Sequence, residues 1–184
     1  MDMTWDLSIM YKGYDDPKYI EDNNKVLELI KEINDLANNL SVENALACIE
    51  KELKLEEELN SVLSELFSYS SLRSATNVND YEALGEMGKL QMVLQETVAA
   101  SVAFSKFLVN VDLEKLALES ELIKTYLFIL KKSQSSAKHM LSDKEEVLAS
   151  KLELVGSDSW SELQSKLTSN FLYKNTVKDL ISIA

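Results

Sequence analysis

Cysteine, histidine, proline and glycine are scarce in this chain, whose 184 residues include one cysteine, one histidine, one proline and four glycines. A single cysteine excludes an internal disulfide and a cysteine-based zinc site. So few turn-forming residues are unsuited to the frequent tight turns of an all-β protein, and a mainly helical fold is predicted. Cys48 lies near Ala45, Leu46 and Ile49, which favours a buried structural thiol over a reactive one.

Basic residues are outnumbered, with 19 lysines and arginines against 31 aspartates and glutamates and a formal net charge of -12. A field of this sign repels phosphate backbones and anionic lipid, so neither nucleic acid nor a membrane is an expected partner. No apolar run approaches the roughly 20 residues that span a bilayer. The N-terminus lacks the basic-then-apolar pattern of a secretory signal, and a cytoplasmic location is the expectation.

Helical periodicity is the main feature of the sequence. The first clear stripe of apolar residues consists of Val26, Leu29, Ile30, Ile33, Leu36, Ala37 and Leu40. We predict an irregular aromatic N-terminal arm over residues 1–20, a helical domain over residues 21–169 and a tail over residues 170–184. The fold class is all-α, a multi-helix antiparallel bundle, with a tail whose β-branched residues allow partly extended structure. Asp16 followed by Pro17 offers an earlier start for the first helix.

Capping residues divide the rest of the helical domain. The segment after Ser41 is either one long helix or two helices joined near Lys51, and its run of three glutamates at 56–58 is interpreted as a solvated face. The stretch "SATNVND" predicts a loop, with Asn79 capping a helix that continues to Leu108. Gly85 and Gly88 inside that helix indicate close approach of another helix or a local bend.

Three more helix starts are predicted further along. Asp112 caps a helix that carries Ile123 and ends near "KKSQSS". A capping box at 142–145 opens the next helix, which Gly156 terminates. A second box at 159–162 opens a short helix, after which the apolar tail either packs onto the domain or continues into further structure.

Residues suited to catalysis are few. His139, the only histidine, is predicted to lie in a loop, and one histidine with one distant cysteine cannot supply the three or four ligands of a zinc site. The sequence has no H-E-x-x-H motif and no phosphate-binding loop. An active site made by this chain alone is therefore not expected. Arg73 either anchors the following loop or a neighbouring carboxylate, or faces a cavity and holds a ligand.

Four short fragments stand in a distinctive order: Trp-Asp-Leu followed by Tyr, then Tyr-x-x-Leu-Arg with a later Asp, then His before Leu-Ser and two acidic residues, then Gly, Trp and Leu-Thr-Ser. These residues are Trp5, Asp6, Leu7, Tyr11, Tyr69, Leu72, Arg73, Asp80, His139, Leu141, Ser142, Glu145, Glu146, Gly156, Trp160, Leu167, Thr168 and Ser169. Over residues 4–169 the chain resembles the N-terminal helical region of the oligoendopeptidase F family, relatives of the thimet-type zinc metallopeptidases.

The resemblance implies a non-catalytic domain that forms one wall of a channel admitting oligopeptides and is inactive alone. The implied partners are the catalytic domain of the same polypeptide and an oligopeptide, and the implied cofactor is zinc, held by that catalytic domain and not by this chain. No catalytic or metal-binding residue is assigned here. Eight signature positions have no assigned role: Trp5, Asp6, Leu7, Tyr11, Tyr69, Arg73, His139 and Trp160.

Two alternatives stay open from the sequence. The chain is either an engineered N-terminal fragment or a naturally truncated relative, and in function the rival to a channel wall is a free-standing acidic helical interaction module. In either case an uncovered apolar face predicts weak self-association.

Overall fold

The computed structural model describes residues 6–77, 79–170, 172–174 and 180–182. Helices dominate these residues, which confirms the predicted all-α, multi-helix fold. The elements are α1 Pro17–Ala37, α2 Ala45–Thr76, α3 Tyr81–Leu94, α4 Val98–Leu108, α5 Leu113–Glu119, α6 Glu121–Ala137, α7 Asp143–Glu153, α8 Ser159–Asn170, β1 Leu172–Lys174 and β2 Leu180–Ser182.

Helices α1 and α2 form the antiparallel pair on which the rest is built. Helix α1 begins at Pro17, ahead of the boundary predicted at residue 21, because the Asp16 carboxylate accepts a hydrogen bond of 2.9 Å from the backbone N–H of Lys18. Ion pairs join Lys18 to Glu65 and Lys25 to Glu58, so the two helices run in opposite directions. Helix α2 is one continuous helix, which settles the question of a joint near Lys51.

Buried side chains form two hydrophobic clusters at opposite ends of α2. The first combines the N-terminal arm with α1, the second half of α2, α3 and the start of α4; its largest members include Tyr11, Tyr19, Ile33, Leu66 and Tyr69. The second combines the first half of α2 with the end of α4, α5 and α6; its members include Cys48, Ile49, Phe107, Leu108 and Ile123. Cys48 is therefore a buried free thiol, as predicted.

The predicted helix from Asn79 to Leu108 is wrong at its start and in its middle. Its N-cap is Asp80, whose carboxylate accepts a hydrogen bond of 3.1 Å from the N–H of Ala83. A 3-10 turn over Gln95–Thr97 separates α3 from α4, and there the Thr97 hydroxyl donates to the carbonyl of Leu94. Such back-bonding by threonine competes with the regular helical hydrogen bonds and tightens the turn.

Asp112 caps a helix as predicted, but that helix ends at Glu119 and a new one begins at Glu121. Ser120 between them has extended backbone angles. Its hydroxyl accepts a hydrogen bond from the N–H of Ile123 and donates one to Glu50 on α2. The break follows because Ser120 both caps α6 and contacts a neighbouring helix.

The capping box of Ser142 and Glu145 at the start of α7 is confirmed. Gly156, in contrast, does not end this helix, because it lies inside a π-helical turn over Leu154–Asp158 that leads directly into α8. Ser159 has helical backbone angles, and its hydroxyl donates to the carbonyl of Leu154 instead of opening a new capping box.

Gly85 and Gly88 face open space, since no atom lies within 4 Å of a side-chain carbon placed at either position, so the expectation of close helix approach is wrong. After α8, β1 and β2 pair as an antiparallel hairpin with Tyr173 opposite Ile181, which agrees with a partly extended tail. Among the described residues no single helix is long and apolar enough to cross a membrane. Residues 81–108 and 113–119, which meet at a bend of 94°, have the length and composition of a span only when taken together.

Candidate functional site

Four tyrosines from the N-terminal arm, α1 and α2 form an aromatic cluster. The rings of Tyr11 and Tyr14 each lie edge-on to those of Tyr19 and Tyr69, with centroids 4.9 to 5.3 Å apart. Edge-to-face contacts of this kind add to the stabilisation from burial itself. Tyr11 and Tyr69 belong to two separate signature fragments, so the fold brings together positions that the sequence places 58 residues apart.

Polar groups satisfy the hydroxyls of this cluster. Tyr11 donates to Asp22 at 2.8 Å, Tyr14 to Ser70 at 3.1 Å and Tyr19 to Glu86 at 3.1 Å. Burial raises the pKa of Tyr19 to about 12, and burial together with the bond to Asp22 raises the pKa of Tyr11 further. Both phenols are neutral at physiological pH and act as hydrogen-bond donors in a packed core.

Arg73 joins the tyrosine cluster to the start of α3. Its Nε donates to Asp80 at 2.9 Å, its Nη2 donates to Glu82 at 3.0 Å, and its guanidinium carbon lies 4.6 Å from the ring centroid of Tyr14. Burial lowers the pKa of Arg73, but the hydrogen bonds to the two carboxylates outweigh it and raise that pKa. Of the two roles open from the sequence, the structure has Arg73 anchoring the following loop and its carboxylates.

The other signature positions lie apart from this cluster. Asp6 is exposed and accepts a hydrogen bond of 3.0 Å from the N–H of Ser8, while Leu7 packs against the first hydrophobic cluster. Trp5 lies outside the described residues. His139 is exposed in the turn after α6, as predicted, and Trp160 on α8 is 72% exposed.

A cavity of about 450 Å³, which was not predicted above, lies between α2, α4 and α6. Its acidic wall is formed by Glu52, Glu56 and Glu57 on α2. The remaining lining is Leu53, Asn60, Ser101, Phe104, Ser105, Tyr126, Ile129, Leu130 and Ser133. Glu57 accepts a hydrogen bond from the Tyr126 hydroxyl, so one of the three carboxylates is already engaged.

Glu52 is the unusual member of this wall because only 4% of the residue is exposed. Burial, followed by repulsion from Glu56, raises the pKa of Glu52 to about 7. Burial also raises the pKa of Glu56, against the opposing effect of a hydrogen bond from Asn60. Glu57 and Glu58 are exposed, so the solvated face predicted for residues 56–58 holds for them, whereas Glu56 is half-buried.

A signal for this site does exist in the sequence. Glu52 falls between Ile49 and Leu55 on the buried stripe of α2, three residues from each, where an apolar side chain is normal. A charged residue at such a position stands out from the helical pattern. The three consecutive glutamates at 56–58 mask this signal, because they dominate the charge pattern of the helix.

An exposed apolar stripe runs along α7 and α8, neither of which has a buried residue. Its members are Leu148, Leu152, Val155, Trp160, Leu163 and Leu167. Spacings of three and four residues keep them on one face, except for the step of five from Val155 to Trp160. That step crosses the π-helical turn, whose wider winding absorbs the additional residue and keeps the stripe continuous.

Zinc, which the resemblance implies for a parent enzyme, does not fit the part of the chain that the structure describes. No group of three or more histidine, cysteine, aspartate or glutamate side chains is placed there to hold a metal ion.

Comparison with known protein families finds a match to part of the chain. Residues 110–172 match the family model described as Oligopeptidase F, in its N-terminal region. The matched segment is about a third of the chain and contains α5 to α8, with His139, Trp160 and the exposed stripe. The resemblance to the N-terminal region of this family is confirmed there, while the tyrosine cluster and Arg73 lie outside the match. Neither a curated protein nor a solved structure matches the chain.

Proposed function

We propose that this chain is the non-catalytic N-terminal helical domain of an oligoendopeptidase F-like zinc metallopeptidase, a cytoplasmic hydrolase of oligopeptides. One observation carries the proposal: the family match at residues 110–172 includes α7 and α8, which display the uncovered apolar stripe. An apolar stripe of this length on a surface marks an interaction site. In the proposal the catalytic domain of the same polypeptide covers it.

In this proposal the role of the domain is to enclose the channel that oligopeptides enter. A wall of packed helices beside a catalytic domain admits extended oligopeptides to the channel and excludes folded proteins by size. The catalytic domain would hold the zinc, whose chemistry would be the activation of water for peptide hydrolysis, and no residue of this chain would take part in that step. The residues of this chain contribute the rigid frame, in which Arg73 and the tyrosine cluster fix α1, α2 and α3 against one another.

The gene provides the first test. We expect the reading frame that encodes this chain to continue into an H-E-x-x-H helix. In that longer polypeptide, hydroxyl-radical footprinting should show Trp160, Leu163 and Leu167 protected relative to the isolated chain, whereas the exposed Leu118 on α5 should be modified equally in both. A frame that ends directly after Ala184, or unchanged modification of the stripe, would overturn the channel-wall role.

A cleavage assay provides the second test. The isolated chain, supplied with zinc and internally quenched oligopeptides, is expected to show no turnover above the buffer. Robust turnover would contradict both the proposed function and its rival, a free-standing acidic interaction module. That rival is supported by the same exposed stripe and is favoured if the reading frame has no catalytic continuation.

A further inference from the structure

The cavity between α2, α4 and α6 contains a buried acid without a counter-ion. Glu52 is more than nine-tenths buried and lines the cavity, and it makes no hydrogen bond or ion pair with any residue that the structure describes. No fully enclosed side-chain oxygen among the described residues lacks a hydrogen-bond partner, so the Glu52 carboxylate is reached from the cavity while the rest of the residue is enclosed. A carboxylate held in so little contact with water is costly without a partner. Helix α2 nevertheless places this side chain at a position where leucine or isoleucine would pack.

We propose that this cavity binds an organic ammonium ion, a primary amine carried on an alkyl chain, with Glu52 and Glu56 as the partners of the charged group. The site is independent of the proposed function, because it uses neither the stripe on α7 and α8 nor a catalytic domain.

The charge of the lining favours a cation. Three glutamates and no lysine, arginine or histidine are found among the described residues that line the cavity. Tyr126 donates to Glu57, which leaves Glu52 and Glu56 to receive a ligand. An ammonium group has three donors and suits two carboxylates on successive turns of one helix.

The shape and remaining lining favour an organic ligand over a metal ion. No group of three metal-ligating side chains exists among the described residues, so a bare divalent ion lacks the oxygen ligands it needs. A volume of about 450 Å³ is that of a small-molecule site. Phe104 and Tyr126 provide aromatic surface for the cation, while Ile129 and Leu130 provide apolar surface for an alkyl chain.

The hydroxyls on the far wall do not compete for the carboxylates. Ser105 on α4 and Ser133 on α6 bond each other, with their Oγ atoms 3.0 Å apart. Asn60 donates to the backbone carbonyl of Glu56 at 2.8 Å and more weakly to its carboxylate at 3.3 Å. Of the three glutamates that line the cavity, only Glu52 makes no hydrogen bond with a residue that the structure describes, and the one to the Glu56 carboxylate is long.

The test is an NMR titration of the full chain at neutral pH with three probes. Cadaverine represents a free alkyl diamine, Nα-acetyl-lysine methylamide represents a lysine side chain of a protein partner, and 1-pentanol is the neutral control. We expect the two amines to shift amide resonances around the cavity and pentanol to leave them unchanged. The amine that binds more tightly identifies the source of the ligand. The proposal would be overturned if 1-pentanol bound with the same affinity as the amines. It would also be overturned if neither amine shifted the amide resonances around the cavity.

Variants locate the site. Glu52→Gln keeps the shape of the side chain and should weaken amine binding at least about tenfold, because it removes a charged hydrogen-bond partner. The matched control is Glu32→Gln, the same charge change at an exposed position of α1, which should leave binding unchanged. Ile129→Lys, at an exposed position on the rim, adds a competing positive charge and should also weaken binding. Wild-type affinity in folded Glu52→Gln and Ile129→Lys proteins would contradict the assignment.

Discussion

The helices up to Ala137 and the pair α7 and α8 have the same kind of amphipathic sequence but differ in what covers their apolar residues. Helices α1 to α6 each have buried side chains that belong to one of two clusters. Helices α7 and α8 have none, and their leucines, Val155 and Trp160 face solvent. The difference shows that periodicity predicts a helix, whereas burial requires a second surface to meet it.

Leucine-to-alanine substitutions in the two regions should give the largest contrast. Leu66 in α2 is fully buried, and Leu66→Ala is expected to lower the free energy of unfolding by about 3 to 5 kcal/mol through lost burial and a cavity. The same change at Leu167, which is 63% exposed, should cost less than about 0.5 kcal/mol. Urea unfolding, followed by circular dichroism, measures the loss in free energy of unfolding for each variant. Equal losses would contradict the difference in burial between the two regions.

Glu52→Gln should give the next largest effect, and it depends on pH. The pKa of Glu52 rises from 4.5 to about 7 on folding, so folding is favoured below the unfolded pKa and this contribution is lost as pH rises through 7. At about 1.4 kcal/mol for each pKa unit, the penalty above pH 7 is about 3 kcal/mol. The variant should therefore be more stable than wild type by about 2 to 3 kcal/mol at pH 8 and nearly equal to it at pH 4.

Urea unfolding of both proteins from pH 4 to pH 8 measures this difference. Glu32→Gln, exposed on α1, is the control and should show a difference near zero throughout. A difference for Glu52→Gln that stays constant over this pH range would contradict the proposed burial of the ionised carboxylate.

Arg73→Met, at a partly buried position beside the tyrosine cluster, should have a moderate effect on stability. Loss of the guanidinium removes two hydrogen bonds and leaves Asp80 without one partner, at an expected cost of about 1 to 3 kcal/mol. Lys18→Met is the matched control, since Lys18 also lies over a tyrosine ring and pairs with a glutamate, but it is exposed. Its cost should stay below about 1 kcal/mol. Thermal unfolding of the two variants separates a partly buried anchor from a surface pair.

The smallest expected effect concerns association through the stripe. Sedimentation velocity at increasing concentration should show weak self-association of the wild-type chain. The double variant Leu163→Glu with Leu167→Glu should reduce it and change stability by less than about 0.5 kcal/mol. Leu118→Glu, at a lone exposed position on α5, is the control. A strictly monomeric wild type at high concentration would argue against an association surface.

Local signals in the sequence were sufficient for several features. The capping box at Ser142 and the cap at Asp112 were predicted because a side chain bonds a backbone N–H only three residues away. The break at Ser120 was missed because it involves Glu50, which lies 70 residues earlier. Gly156 was misassigned because a glycine ends a helix only where the chain turns, and here the helix continues through a π-helical turn.

The sequence by itself determined the helical class, the acidic charge, the buried position of Cys48 and the starts of α5 and α7. These features follow from short-range hydrogen bonds, composition and the helical period. Only the tertiary structure decided that Tyr11 meets Tyr69, that Arg73 binds Asp80 and Glu82, and that Glu52 faces a cavity. It also decided which apolar stripe is covered. Each of these depends on which helix faces meet, and that is set by the packing of residues far apart in the chain.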